Sequence, residues 1–263
     1  GLVFVFEHLQ GLRLMGDVFG VDYLRFFRAA FYAEDPYAVP GFYNPFWIFG
    51  FTAVAEFFGR YGLAVWMVLN LCAFLWVCLY LKMPLWLVLP FFIFSGALMG
   101  VLVGNVEGLV ALGLVLPSPL ALVVLMVKPQ IGAAVAAFYI LSAFVEHGWR
   151  RAVWVCVPVG ILFAVSFGVY GNWMWKAVEL VGRGYNTIDF FPLGVPLGVA
   201  LVVAGVSRRN VGYALMAIPF TTPYMIFHTW AFPFFGVVLV LKEEFCQLRA
   251  LHLARVVLVK KGM

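Results

Sequence analysis

Ionisable side chains are scarce in this chain, and the few that interrupt its apolar runs are where chemistry has to be sought. Asp22 stands in a polar stretch, residues 17–44, that also carries Arg25, Arg28, Glu34, Asp35 and Tyr37. A carboxylate there can take a proton from an attacking hydroxyl. It can equally sit in the first turn of a helix, where it suits the dipole and does nothing more. Gly104-Asn105-Val106-Glu107-Gly108 separates two apolar runs, and Lys128-Pro129-Gln130 separates the next two. Ionisable groups between membrane-depth segments are expensive unless paired or hydrated, which makes Glu107 and Lys128 candidate site residues, although a loop also needs polar residues for its own sake. A further cluster, Thr221-Thr222-Pro223-Tyr224 followed by His228, gathers hydroxyls, a phenol and an imidazole near one edge of an apolar run. Glu56 has apolar flanks and must find a partner inside the protein.

The elements that position these groups follow from composition. Of 263 residues, 65% are apolar, 18% aromatic and 11% charged, far from the roughly 25% charged residues of soluble domains. Lipid offers no partner to backbone N–H or C=O, so crossings are helices or closed barrels. Barrel strands would alternate with period two, whereas 63–81 and 131–145 are apolar on all sides. The expectation is an all-α, polytopic transmembrane bundle of about nine to ten spans at about 20 residues each. It forms one domain over 1–241, with outer loops at 17–44 and 171–190 and a cytoplasmic basic amphipathic tail at 242–263. Apolar runs begin near residues 45, 62, 84, 107, 130, 152, 191, 211 and 225, and Gly or Pro marks nearly every junction. The run 107–127 contains Pro117-Ser118-Pro119 and is either one crossing or two half-helices.

If each run crosses once, Arg60, the Arg150-Arg151 turn, the Arg208-Arg209 turn and the tail share the cytoplasmic side. The turns at Lys82, Lys128 and Pro223 then face outward with residues 17–44. Within that outer stretch, Val21 to Ala33 reads as an amphipathic surface helix, with Tyr23, Phe26, Phe27 and Ala30 on one face and Arg25 and Arg28 on another. The net charge of +5 is spread singly between apolar runs, which fits topology signals and anionic headgroups rather than nucleic acid. Cys72, Cys78, Cys156 and Cys246 lack any metal-ligand or CxxC spacing, and no metal-ligand set is read from the sequence. The chain begins with Gly rather than Met, which is compatible with a removed signal or a missing first helix.

The order Asp22-Tyr23, Asp35-Pro36-Tyr37, Tyr43-Asn44-Pro45, Gly104-Asn105-Val106-Glu107, Lys128-Pro129-Gln130, then Thr222-Pro223-Tyr224 with His228 resembles the polyprenol-phosphate-sugar-dependent glycosyltransferases of the GT-C superfamily. The nearest branch is a bacterial alpha-mannosyltransferase-like family. The resemblance covers about residues 20 to 240 and implies sugar transfer from a polyprenyl-phosphate donor to an acceptor at the outer membrane face. It implies Asp22 as general base and Lys128 as the partner of the donor phosphate. Asn105, Glu107, Tyr224 and His228 would bind substrate, and Asp35 and Tyr37 would shape the turn beside it. No cofactor is implied: the lipid-linked sugar is the donor substrate, and the resemblance leaves a divalent metal open. Gly-Asn-Val-Glu stands where Gly-Gln-x-Asn is more usual, and Asn44-Pro45 where Pro-Pro is commoner. A catalytically inactive relative, packing with other membrane subunits in a larger complex, is therefore the alternative. A transporter is a weaker third reading, because the break at Pro117 has no counterpart in a second half. Dinucleotide, P-loop and haem signatures are absent from the sequence.

Overall fold

The computed structural model describes residues 19–175, 190–222 and 227–245. The opening stretch, most of the loop 171–190, Tyr224, Cys246 and nearly all of the expected amphipathic tail lie outside the described residues. Within them all regular structure is helical and no strand occurs. Three helices are long and apolar enough to cross a membrane, Gly59–Tyr80, Pro129–His147 and Trp149–Tyr170, of 22, 19 and 22 residues.

Residues 21–32 wind as α1, π-helical over Tyr23–Arg28. Tyr23, Phe27 and Ala30 are buried while Arg25 and Arg28 are exposed, so one face packs and the other does not. After α2 (Phe49–Glu56) and α3 (Gly62–Tyr80) come α4 (Leu85–Phe94) and α5 (Ala97–Leu102). Gly96, at φ +78°, breaks α4 from α5 in a backbone conformation that costs a glycine little. The chain continues through α6 (Glu107–Ala111), extended by a 3-10 turn to Leu114, and α7 (Ser118–Leu125). Then follow α8 (Pro129–His147), α9 (Trp149–Tyr170), α10 (Val195–Arg208), α11 (Val211–Thr221) and α12 (231–245). Trp154, Ile161 and Val165 on α9 and Trp86 and Leu89 on α4 are exposed, a distribution that hydrocarbon tolerates and water does not.

Side-chain contacts sort the turns into two ends. At one end, Arg209 Nε lies 3.4 Å from Glu146 Oε1 and Arg208 Nη1 2.9 Å from Glu244 Oε1. Lys242 Nζ donates to Leu81 O at 3.1 Å. The turn at Lys82 thus shares an end with Lys242 and the paired arginines. At the other end, Tyr37 stacks on Trp173 with ring centroids 5.0 Å apart, which puts the stretch 36–44 beside the chain leaving α9. Glu56 joins Tyr23 at this same end, and Arg60 is the fourth residue beyond it.

These contacts correct one expectation and decide between two alternatives. The run 45–59 was expected to cross and to place Arg60 opposite Tyr23. Its helical part, Phe46–Glu56, ends with Glu56 bonded to Tyr23 of α1, so the chain reaches α3 without changing ends. The turns at Arg60, Lys82 and Gly104 each shift ends accordingly, and Asn105 comes to lie beside Asp22. The run 107–127 is the pair of half-helices: Lys128 Nζ lies 2.8 Å from Glu107 Oε1, so the two ends of the run stand side by side and α6 and α7 form a hairpin.

Candidate functional site

Asp22 is placed by backbone hydrogen bonds. Its N–H donates to Val103 O and that of Gly20 to Leu102 O, both at 2.8 Å, which seats the start of α1 on the end of α5. The turn after α5 needs Gly104 at φ +75°, where a Cβ would come within 2.9 Å of Tyr23 Cβ. Trp66 of α3 donates its indole N–H to Gly104 O at 2.8 Å, holding the turn from below. Asn105 is therefore fixed directly beside Asp22.

Asn105 Nδ2 donates to Asp22 Oδ2 at 2.6 Å, and its Oδ1 accepts from Lys128 Nζ at 3.1 Å. Lys128 also donates to Glu107 Oε1 at 2.8 Å, the atom that accepts from Thr229 Oγ1 at 3.0 Å. Glu107 Oε2 lies 2.7 Å from His228 Nδ1, an ion-pair contact, and neither atom has a hydrogen-bond partner among the described residues. Thus α1, the 104–106 turn, the start of α6 and the turn before α8 each give one member, and the turn before α12 gives two, His228 and Thr229, to a single chain of polar contacts.

Burial grades along this chain. Asn105 is 8% exposed, His228 6%, Lys128 3% and Glu107 1%, whereas Asp22 is only partly covered. Burial still pushes the Asp22 carboxyl above the usual carboxylate range, opposed by its bond from Asn105 and by the charges of His228 and Lys128. Its Oδ1 has no hydrogen-bond partner among the described residues, so one oxygen is oriented and the other is open to a proton. A buried ion pair such as Lys128 with Glu107 survives because its remaining valences are met: removing one member typically costs about 3–5 kcal/mol.

Asp35 and Tyr37 stand beside this network rather than in it. Asp35 Oδ1 accepts from Tyr37 N at 2.9 Å, Tyr37 OH donates to Asn44 O at 3.1 Å, and Asn44 Nδ2 donates to Val127 O at 2.8 Å. Through Asn44 this stretch is tied to the residue preceding Lys128. Glu56 finds its partners in α1: Tyr23 OH, Tyr32 OH at 2.9 Å and Arg28 Nε at 3.2 Å. Thr229 went unrecognised in the sequence, where its only signal is adjacency to His228. Asn70, whose Oδ1 accepts from Leu109 N at 3.2 Å, lay hidden inside the long apolar run of α3. No group of three or more His, Cys, Asp or Glu side chains suited to a metal ion occurs among the described residues. Comparison with protein-family models, with curated proteins and with solved structures finds no match for this chain.

Proposed function

We propose that the chain is a multi-pass membrane glycosyltransferase of GT-C type, moving a sugar from a polyprenyl-phosphate donor to an acceptor hydroxyl at the non-cytoplasmic face. In this reading α3, the α4–α5 pair, α8, α9, α10, α11 and α12 cross the bilayer and the α6–α7 hairpin re-enters it. The end carrying Lys82, Arg150, Arg151, Arg208, Arg209 and Lys242 is cytoplasmic, as the clustering of Lys and Arg in short loops there supports. Residues 1–241 then form the membrane domain.

The observation that carries the reading is the partly open carboxylate of Asp22, oriented by Asn105, at the end of a buried network that includes Lys128. Asp22 Oδ1 takes the proton of the acceptor hydroxyl as its oxygen attacks the anomeric carbon. The bond from that carbon to the donor phosphate breaks, and the phosphate leaves with the electron pair, so a single displacement inverts the anomeric centre. Lys128 stays bonded to Glu107 and Asn105 and contributes positive potential toward the leaving phosphate. His228 and Thr229 hold Glu107 in place from the opposite side.

The test is sugar transfer by purified protein in lipid nanodiscs, using a panel of polyprenyl-phosphate hexoses. Asp22→Asn should lower transfer by about a hundredfold or more with unchanged yield and elution profile. Undiminished transfer by that variant removes the mechanism. Failure of the wild type on every donor leaves the inactive membrane subunit.

A further inference from the structure

At the end opposite Asp22, a groove of about 730 Å³ runs between α8 and α10. Leu141, Val145, Val203 and Val206 make its apolar wall, and Glu146, Ser207 and Arg209 stand at its rim. A second hollow of about 260 Å³ adjoins it, sharing Ser142, Glu146, His147 and Arg209 and adding Arg151 of α9. Val145 and Val203 are 68% and 52% exposed, so the wall faces outward, where a membrane protein meets acyl chains. The hydroxyl oxygen of Ser142, where the two hollows meet, is buried and has no partner among the described residues. Nothing in the sugar-transfer chemistry uses any of these groups.

We infer that this double hollow binds one anionic phospholipid, with its phosphate between Arg151 and Arg209 and one acyl chain along the wall of Leu141, Val145, Val203 and Val206. Charge and depth both point to that occupant. Two guanidinia face one carboxylate, Glu146, leaving an excess positive charge for a phosphate. The apolar wall starts directly below the charged rim, Val145 next to Glu146 and Val206 next to Ser207, and extends about 6–8 Å along α8 to Leu141, so a headgroup at the rim would set its acyl chain straight onto the wall. Basic pockets between helices on the cytoplasmic side are recurrent headgroup sites, and planar guanidinium donors suit phosphate oxygens. The Ser142 hydroxyl supplies a donor toward the glycerol region. A soluble phosphate compound would leave the wall unused.

Native mass spectrometry of detergent-purified protein, given equimolar phosphatidylglycerol and phosphatidylcholine of matched chains, tests this. The wild type should retain one phosphatidylglycerol at least tenfold in preference. The double substitution Arg151→Gln with Arg209→Gln should reduce that preference to less than twofold. Arg150→Gln, the same loss of charge on a residue outside both hollows, should keep it. Asp22→Asn should also keep it, so the result is independent of whether sugar transfer occurs. Equal retention of the two lipids by the wild type, an equal loss in Arg150→Gln, or displacement of the lipid by millimolar glycerol phosphate overturns the proposal. The exposed Arg209–Glu146 pair contributes little to folding, and an unchanged elution profile verifies that the double variant is intact.

Discussion

Asn105 Nδ2 donates to Asp22 Oδ2 across 2.6 Å, joining residues 83 apart in sequence, and the same amide accepts from Lys128 through its other atom. One neutral side chain thereby couples a partly open carboxylate to a buried cation. Burial raises the Asp22 pKa and the Asn105 bond lowers it, so Asn105 sets how much of the base is ionised at a given pH.

The pH dependence follows in sign. With its folded pKa above the unfolded one, the folded state binds more protons through the window between them. Asp22 therefore contributes stability that is fully present below the unfolded pKa and is lost as pH rises through the folded one. Transfer runs the other way, because only the ionised base accepts a proton, so activity falls on acidification at a pH above the usual carboxylate range. Replacing Asn105 by Ala removes the lowering bond and should move that acid limb to still higher pH, while an unsatisfied Lys128 donor costs about 1–3 kcal/mol. A pH–rate profile and thermal melts of Asn105→Ala check both effects; an unmoved acid limb would show that Asp22 does not govern it.

Glu107 and Lys128 should behave as one unit. Glu107→Ala strands the Lys128 cation along with His228 and Thr229, and Lys128→Met strands the Glu107 carboxylate. Each should destabilise by about 3–5 kcal/mol. The double variant, with both charges gone, should lose about 1–3 kcal/mol less than the sum. Denaturation of all four proteins in the same detergent measures this coupling, and strict additivity would mean that the pair is not a functional contact.

Much of this arrangement was readable from residue types, and the unreadable part has a physical cause. Glu107, Lys128 and Asn105 announced themselves because polar residues between apolar runs are expensive, and Tyr23, Phe27 and Ala30 because their spacing follows a helical face. Direction of travel was not readable. A run of apolar residues reports that a segment avoids water and not that it crosses, so 45–59 looked like a span and 107–127 stayed open between one crossing and two half-helices until the contacts of Glu56 and Lys128 showed where they end. Thr229 and Asn70 were silent for another reason: a buried hydroxyl or amide is recognisable only by a partner brought from far along the chain, 122 residues for Thr229 and Glu107.

Close backbone approach places α6 at the site, and Gly108 permits it. A Cβ there would lie 2.2 Å from the backbone oxygen of Asn70 in α3, a contact that rotamer change cannot relieve. Gly108→Ala should force α6 away from α3, loosen Glu107 from Lys128 and destabilise by about 1–3 kcal/mol or more. Gly160, with nothing within 4 Å of a Cβ, is the control: Ala there should leave the melting temperature unchanged or slightly raised, since Gly within a helix costs about 1 kcal/mol relative to Ala.

The placement of Lys82 with Lys242 separates two topologies that composition alone leaves equal. If 45–59 crossed the bilayer, Lys82 would face the same side as Asp35. Because α2 returns toward Tyr23 and Lys242 reaches Leu81 O, Lys82 should instead be on the side of Arg150 and Arg209. After replacing the four native cysteines, single cysteines at Lys82, Arg150 and Asp35 should partition two against one. An impermeant maleimide added to intact cells should label Asp35→Cys and spare the other two until the membrane is opened. Labelling of Lys82→Cys together with Asp35→Cys would restore the extra crossing. It would also move Arg60 to the cytoplasmic side and take Lys82 out of the basic end that it shares with Lys242, which would overturn the claim that one basic end faces the cytoplasm.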